Sequence, residues 1–496
     1  MELKKQTFLY YQTVLDAVSA PEAGAEMIVP DLYPDMARIV DTAGQACVKE
    51  TVLRDDRLDL TGLARVGVLY RPEGEDGLRK LDVSIPFNHV FDGRFPPNSE
   101  VHCGARLLDI EARAINPRKI SVLCRLSLHA VVYAPAELSI PSEVDEPCEV
   151  KMQLCDAYMP VAVKSKGFTI NEGLELPASR PPVDELVIAL PRLEVTDVKI
   201  VGSKAVFKGA VLLELLYLSG GEPVSAEHEF SMSQIMDMDG LEDGAAVDLD
   251  LRVTGIELDV GGVSGDPRSV NIALHLEAQA VAYMERQMEA IVDLYSTSGH
   301  LKPLLEPLHL TALVERGTRR QQAREMLEAE EEIRSVIYAR VCLGPITRLE
   351  SGEPGCEAFV NLLYLTDDGE FRSMGQKVAV PSGIEADGAM LMARQAGQVT
   401  AAPSSGGIEL RFSVDFSFIL TRPERLLAVG GVQEEEPAER PARPSIVLRR
   451  CHSGEGLWNI AKRYSTTISE LCMANGLEDC AEEAPDGQLL LIPKKR

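Results

Sequence analysis

Lys119-Ile-Ser-Val-Leu-Cys-Arg-Leu-Ser-Leu-His-Ala-Val-Val132 alternates apolar and polar side chains almost without a break. Ile120, Val122, Cys124, Leu126, Leu128, Ala130 and Val132 fall on one side, and Lys119, Ser121, Arg125, Ser127 and His129 on the other. Successive side chains of a β-strand point to opposite faces, so a period of two held this long predicts a strand with one dry face and one wet face. The pattern returns twice. Val270, Ile272, Leu274, Leu276, Ala278 and Ala280 alternate with polar neighbours, as do Ile408, Leu410, Phe412, Val414, Phe416 and Phe418. Turn-forming residues precede the first two of these strands alike, as Asn116-Pro-Arg118 and Asp266-Pro-Arg268.

Working outward, a second landmark repeats at a fixed interval. Leu69-Tyr70, Leu216-Tyr217 and Leu363-Tyr364 are spaced by 147 residues, and the same spacing separates Ile28-Val-Pro30 from Glu175-Leu-Pro177. Solenoid repeats are much shorter, so this period indicates duplication of a whole domain. We therefore divide the chain into three mostly β modules, residues 7–150, 151–290 and 291–432. One exception to the strands is expected at Thr318 to Ala339. There Met326, Leu327, Ile333, Val336 and Ile337, together with Arg324 and Glu328, read as a charged amphipathic helix. Residues 433–444 carry closely spaced prolines among charges, which disfavours both helix and packed core and predicts an extended tether. Residues 445–496 come next as a separate small domain, expected to hang free of the rest.

Composition narrows the function classes. A chain of 496 residues is too long for one core. Its net charge is −27, and residues 445–496 hold seven basic and seven acidic residues, so the acidic excess lies upstream of them. Such a surface is repelled by nucleic acid and by anionic membranes, and neither is expected as a partner. The N-terminus develops no apolar stretch and no run of eighteen apolar residues occurs, so neither a secretory signal nor membrane insertion is expected. Ten cysteines at irregular intervals, with no Cys-x-x-Cys pair, read as buried reduced thiols. Phosphate-binding loops, nucleophile elbows and His-Glu-x-x-His pairs are all missing, so no enzyme, cofactor or metal site is expected. Gly261 to Asp266 is glycine-rich but runs into Pro267, which favours a hairpin turn.

The C-terminal stretch carries the candidate site. Leu457, Ile460, Ala461 and Tyr464 recur at i, i+3, i+4 and i+7, one stripe of a two-turn helix. Thr467 and Glu470 have the spacing of a capping box for a second helix, which Asn475-Gly476 would end in a left-handed turn. Apolar strands at Ile446 to Leu448 and Leu489 to Ile492 flank the pair. This order, with Leu457-Trp-Asn-Ile-Ala461, Leu471 to Asn475 and Gly487 to Pro493, resembles the LysM domain, a small βααβ module. Where that family has Gly-Asp-Thr before the first helix, this chain has Gly454-Glu455-Gly456, which removes a hydroxyl from the loop that holds N-acetylglucosamine in sugar-binding members. The resemblance implies a partner- or glycan-binding surface formed by Ile446, Gly454, Glu455, Gly456, Leu457, Trp458, Asn475, Gly476, Leu477, Asp486 and Gly487. Trp458 is the only tryptophan. It is expected either as core of this module or as a half-exposed contact residue rimmed by Arg449, Glu455 and Lys462.

The upstream modules carry short motifs in a shared order. The first has Asp31-Leu-Tyr-Pro-Asp35, Leu69-Tyr70, Ile85-Pro-Phe87 and Asn116-Pro-Arg-Lys-Ile120. The second has Asp156-Ala-Tyr158, Leu216-Tyr217 and His228-Glu-Phe230, and the third Asp293-Leu-Tyr295, Leu363-Tyr364 and Val380-Pro381. This order resembles the SPOCS domain of endospore coat assembly proteins. The expected fold is mainly β and multidomain: three SPOCS-like β-sheet or sandwich modules with few helices, plus a small C-terminal βααβ LysM domain. The resemblance implies a non-enzymatic scaffold made in the mother-cell cytoplasm. Its LysM-like end would dock on the basal-layer spore coat morphogenetic ATPase and, with other coat proteins, recruit coat to the forespore surface. The alternative is a binder of peptidoglycan or N-acetylglucosamine.

Overall fold

A computed structural model of the chain describes residues 3–145, 147–261, 265–385, 388–434, 447–452, 454–477 and 487–493. The first unit contains β1 (Leu3–Ser19), β2 (Glu22–Ile28), β3 (Met36–Leu53), β4 (Arg57–Pro72), β5 (Arg79–Asp92), β6 (Glu100–Asn116) and β7 (Lys119–Val144). The second contains β8 (Glu149–Glu175), β9 (Glu185–Val201), β10 (Lys204–Ser219), β11 (Glu222–Asp237), β12 (Ala246–Gly261) and β13 (Asp266–Tyr295). The third contains β14 (Leu301–Glu328), β15 (Ile333–Arg348), β16 (Pro354–Thr366), β17 (Phe371–Pro381), β18 (Met390–Ser404) and β19 (Gly407–Glu434). A C-terminal head completes the chain, with β20 (Val447–Arg450), α1 (Leu457–Tyr464), α2 (Ile468–Asn475) and β21 (Leu489–Ile492).

The three units share one antiparallel topology. A meander forms one sheet, β3-β4-β5, β9-β10-β11 or β15-β16-β17. The long last strand forms the centre of the other, between the first strand and the penultimate one: β8-β13-β12 and β14-β19-β18. In the first unit β1 and β2 lie in series along one edge of β7, with β6 on the other edge. Each pair of sheets closes over a core made by the alternating residues of the last strand, from Ile120 to Val132, Val270 to Ala280 and Ile408 to Phe418. The chain is thus mainly β, as its periodicity predicts.

The Leu-Tyr pairs join the units because neighbouring residues of a strand face opposite ways. Tyr70, Tyr217 and Tyr364 each point into their own sandwich. Leu69, Leu216 and Leu363 point the other way and meet in one shared cluster, at most 1 % exposed. The first two units also repeat a loop clamp. The side chains of Asn116 and Asp266 each accept from the backbone two residues on, at 2.9 Å, and the turn carbonyls of Arg118 and Arg268 accept from Val29 and Leu176 at 2.9 Å. Tyr70 and Tyr217 complete the clamp by donating to the carbonyls of Pro34 (3.3 Å) and Pro181 (3.1 Å).

Beyond the sandwiches the first and last strands run on as two-stranded arms. Each first strand has a bulged valine where its arm begins: Val14, Val161 and Val314 are skipped in the pairing. A bulge bends its strand and re-aims the residues on its far side. The three arms pack on each other, with Leu138, Met288 and Leu426, and then Ile140, Ala290 and Ala428, in corresponding places in one apolar cluster. Their tips meet at Leu3 and Val144, Ile291 and Leu294, and Val429 and Val432.

Three expectations about the body of the chain are corrected. The helix at Thr318 to Ala339 is absent, and those residues form the end of β14, a turn and the start of β15. Its charge pattern serves cross-strand pairs: Arg320 forks onto Asp415 at 2.7 and 2.8 Å, Arg324 pairs with Glu409, and Leu327 is buried in the sandwich. The Asp-x-Tyr motifs are not equivalent, because Asp31-Leu-Tyr33 lies in the loop before β3, Asp156-Ala-Tyr158 within β8, and Asp293-Leu-Tyr295 at the end of β13. The divisions placed between residues 150 and 151 and between 290 and 291 fall inside β8 and β13, and residues 433 and 434 of the expected tether belong to β19. Residues 435–444 lie outside the described residues.

Candidate functional site: the head and its seat

The head folds as its local signals dictate. Helix α1 starts after Gly456, which offers no side-chain cap, and ends on Ser465 in the left-handed conformation at φ 55°. Helix α2 has the full capping box: Glu470 N donates to Thr467 Oγ1 at 3.0 Å, and the Glu470 carboxylate accepts from Thr467 N at 3.4 Å. It closes on Gly476 at φ 63°, where a side chain would be strained. Strand β20 pairs antiparallel with β21. Leu457, Ile460, Leu471, Cys472, Leu490 and Ile492 form a small core of their own.

Trp458 and Ala461 face away from that core and pack on Tyr295 at the end of β13. The rings of Trp458 and Tyr295 meet edge to face with centroids 4.9 Å apart. Trp458 Nε1 donates to Asp293 Oδ2 at 2.7 Å, and Lys462 forms an ion pair with the same carboxylate. The Tyr295 hydroxyl donates to the Thr466 carbonyl at 2.8 Å. Burial, followed by the nearby Glu149, Asp293 and Glu470, pushes the Tyr295 hydroxyl well above the usual tyrosine range, so it remains a donor. With Trp458 only 9 % exposed, the expected free head is corrected to a docked one. The cause is a carboxylate and a tyrosine on the arm that satisfy the indole N–H and cover its ring.

The other expected site residues divide between packing and exposure. Leu457 is buried in the head's own core, Glu455 pairs with Arg449, and Gly454 and Gly476 are exposed. Asn475 is consumed internally: its amide donates to the carbonyls of Leu471 (2.7 Å) and Leu491 (2.8 Å) and accepts from Leu491 N (2.6 Å). Leu477 packs on the head core, and Gly487 N donates to the Cys451 carbonyl at 3.3 Å. Ile446 and Asp486 lie outside the described residues. The outer face of the β20–β21 pair stays open, with Leu448 60 % and Leu489 55 % exposed. Asp293 and Tyr295 were missed as partners of the head. Their Asp-Leu-Tyr triplet stands out in the sequence but reads there as the start of the third unit.

Among the described residues no helix is long and apolar enough to cross a membrane, and no group of three His, Cys, Asp or Glu side chains is placed to hold a metal ion. Residues 182–260 match the family model described as SipL, SPOCS domain. This segment is similar to the SPOCS domain. The match spans the meander β9 to β11 of the second unit and nearly all of β12. No curated protein and no solved structure gives a significant match.

Proposed function

We propose that this chain is a non-enzymatic scaffold of endospore coat assembly, whose head docks on the basal-layer morphogenetic ATPase and so brings coat protein to the forespore surface. The SPOCS match over residues 182–260 carries the reading and points to spore-coat assembly. Three sandwiches joined through shared apolar clusters suit a structural part. The seat on Asp293 and Tyr295 takes up the Trp458 side of the head. A partner therefore meets the outer face of β20 and β21, where Leu448 and Leu489 form a small apolar patch beside Arg450.

The test uses the full chain immobilised and challenged with the purified coat ATPase. Wild type is expected to retain it, and the double variant Leu448→Glu, Leu489→Glu to lose it while melting normally, since both side chains are mostly in water. No retention by wild type would sink the docking role. Co-sedimentation with purified peptidoglycan in its place would favour the glycan reading.

A further inference from the structure

The three units line a half-open cavity of about 640 Å³ whose wall includes Arg106, Arg252 and Arg394. These arginines are equivalent positions. Each lies on the penultimate strand of its sheet, paired with Ser127, Glu277 and Asp415 respectively, and each of those partners is seven residues beyond the first buried apolar side chain of the last strand, Ile120, Val270 or Ile408. The internal repeat thus builds a ring of three guanidinium groups. Its anionic complement is not threefold. The position two residues before each arginine holds Gly104, Asp250 and Met392, so only one of these three positions carries a carboxylate.

Asp250 serves two of the three, Arg252 at 2.6 Å and Arg394 at 3.2 Å. Burial alone would raise its pKa, but Arg252, Arg394 and Arg106 together hold it below the usual carboxylate range. Arg106 reaches only carbonyl oxygens of the third unit, Leu343 at 3.2 Å and Ala393 at 3.4 Å, and among the described residues it forms no ion pair. Burial, and then Arg252 beside it, depress its pKa. Arg340, also on the wall, donates to the Thr42 carbonyl and leaves Nη1 without a partner, as does Arg252 its Nε. Asp41, which faces Arg340, is driven toward its neutral form by burial. Glu277, cross-strand from Arg252, adds a second carboxylate and accepts from Gln279 at 2.7 Å, and Glu214 is taken by Arg192. With Glu50 and Asp109 the wall holds five carboxylates against seven Lys and Arg side chains, so cations remain in excess.

Arginine keeps its charge in proteins, so a surplus of partly buried guanidinium groups lining one cavity favours a bound anion. We propose that this cavity binds a small multivalent oxyanion, one bearing two or more carboxylate or phosphate groups, held by Arg106, Arg252, Arg394 and Arg340. Forked guanidinium groups suit paired oxygens of either kind. Because Arg106 comes from the first unit, Arg252 from the second and the other two from the third, the ligand would tie all three together. A ligand that binds only the folded chain raises its stability by mass action.

The experiment is titration calorimetry and thermal melting of the full chain with citrate, with pyrophosphate and with sodium chloride at matched ionic strength. Citrate or pyrophosphate is expected to bind and raise the melting midpoint above the chloride control, and the stronger of the two identifies the preferred group. Arg106→Met should weaken binding by about ten-fold or more, the loss of one charge-assisted fork. Met392→Asp supplies a carboxylate at the position equivalent to Asp250, so it should fold, melt no lower than wild type and bind about ten-fold more weakly. No binding beyond chloride, or equal binding by Met392→Asp, overturns the proposal.

Discussion

At the scale of the residue, His102 shows how burial turns one side chain into a pH liability. It lies on β6, 8 % exposed, edge to face with Tyr133 at 5.3 Å, and its Nε2 has no hydrogen-bond partner. Burial lowers its pKa to about 4, against smaller opposing effects of the Lys164 backbone and Asp250, while Arg252 lowers it further. The folded chain therefore keeps this imidazole neutral while the unfolded chain takes up a proton near its ordinary pKa. Its contribution is complete above about pH 6.5 and is lost as the pH falls toward about 4. Urea denaturation of wild type should weaken by about 2 kcal/mol more between pH 7 and pH 5 than that of His102→Phe, which keeps an aromatic ring there. Equal slopes for the two proteins would show that the imidazole is not held neutral.

At the scale of the element, the repeated Leu-Tyr pair does two jobs with adjacent residues. Leu216 is fully buried where the meander sheets of the three units meet, and Tyr217 is fully buried inside its own sandwich. Leu216→Ala should cost about 2–5 kcal/mol in chemical denaturation, whereas Leu9→Ala, at a side chain 71 % exposed, should cost almost nothing. The 147-residue spacing was legible because it needs only residue identity. That the leucines meet one another was not, because periodicity tells which face a side chain takes and not what covers that face. The end of β14 shows the same limit from the other side. Charges at helical spacing satisfied a helix pattern equally well, and the neighbouring strand β19 decided the matter by supplying Asp415 opposite Arg320 and Glu409 diagonal to Arg324.

At the scale of the whole molecule, the head is held by a few polar contacts and one aromatic pair, so its attachment can be severed without touching either core. Asp293→Ala removes the acceptor of Trp458 Nε1 and the partner of Lys462, which should weaken docking by about 1–3 kcal/mol. Trp458 is the sole tryptophan, so its fluorescence reports the seat directly. The variant is expected to emit further to the red than wild type and to expose the head to limited proteolysis, with the melt of the body little changed. An unchanged emission spectrum would mean that the contact with Asp293 does not hold the head in place.

Alternation, turn chemistry and capping residues were enough to specify β-rich repeats and a βααβ end, because strand faces, tight turns and helix caps are decided by residues near one another in the chain. The βααβ head, its capping box and its Gly476 exit all arise from such local chemistry. Which surfaces then come together is another matter. The docking of Trp458 on an arm 165 residues away, the shared leucine cluster and the arginine-lined cavity all depend on three units packing around one centre. Contacts between distant segments leave no period or spacing in the sequence, and only the folded arrangement of the units brings them into being.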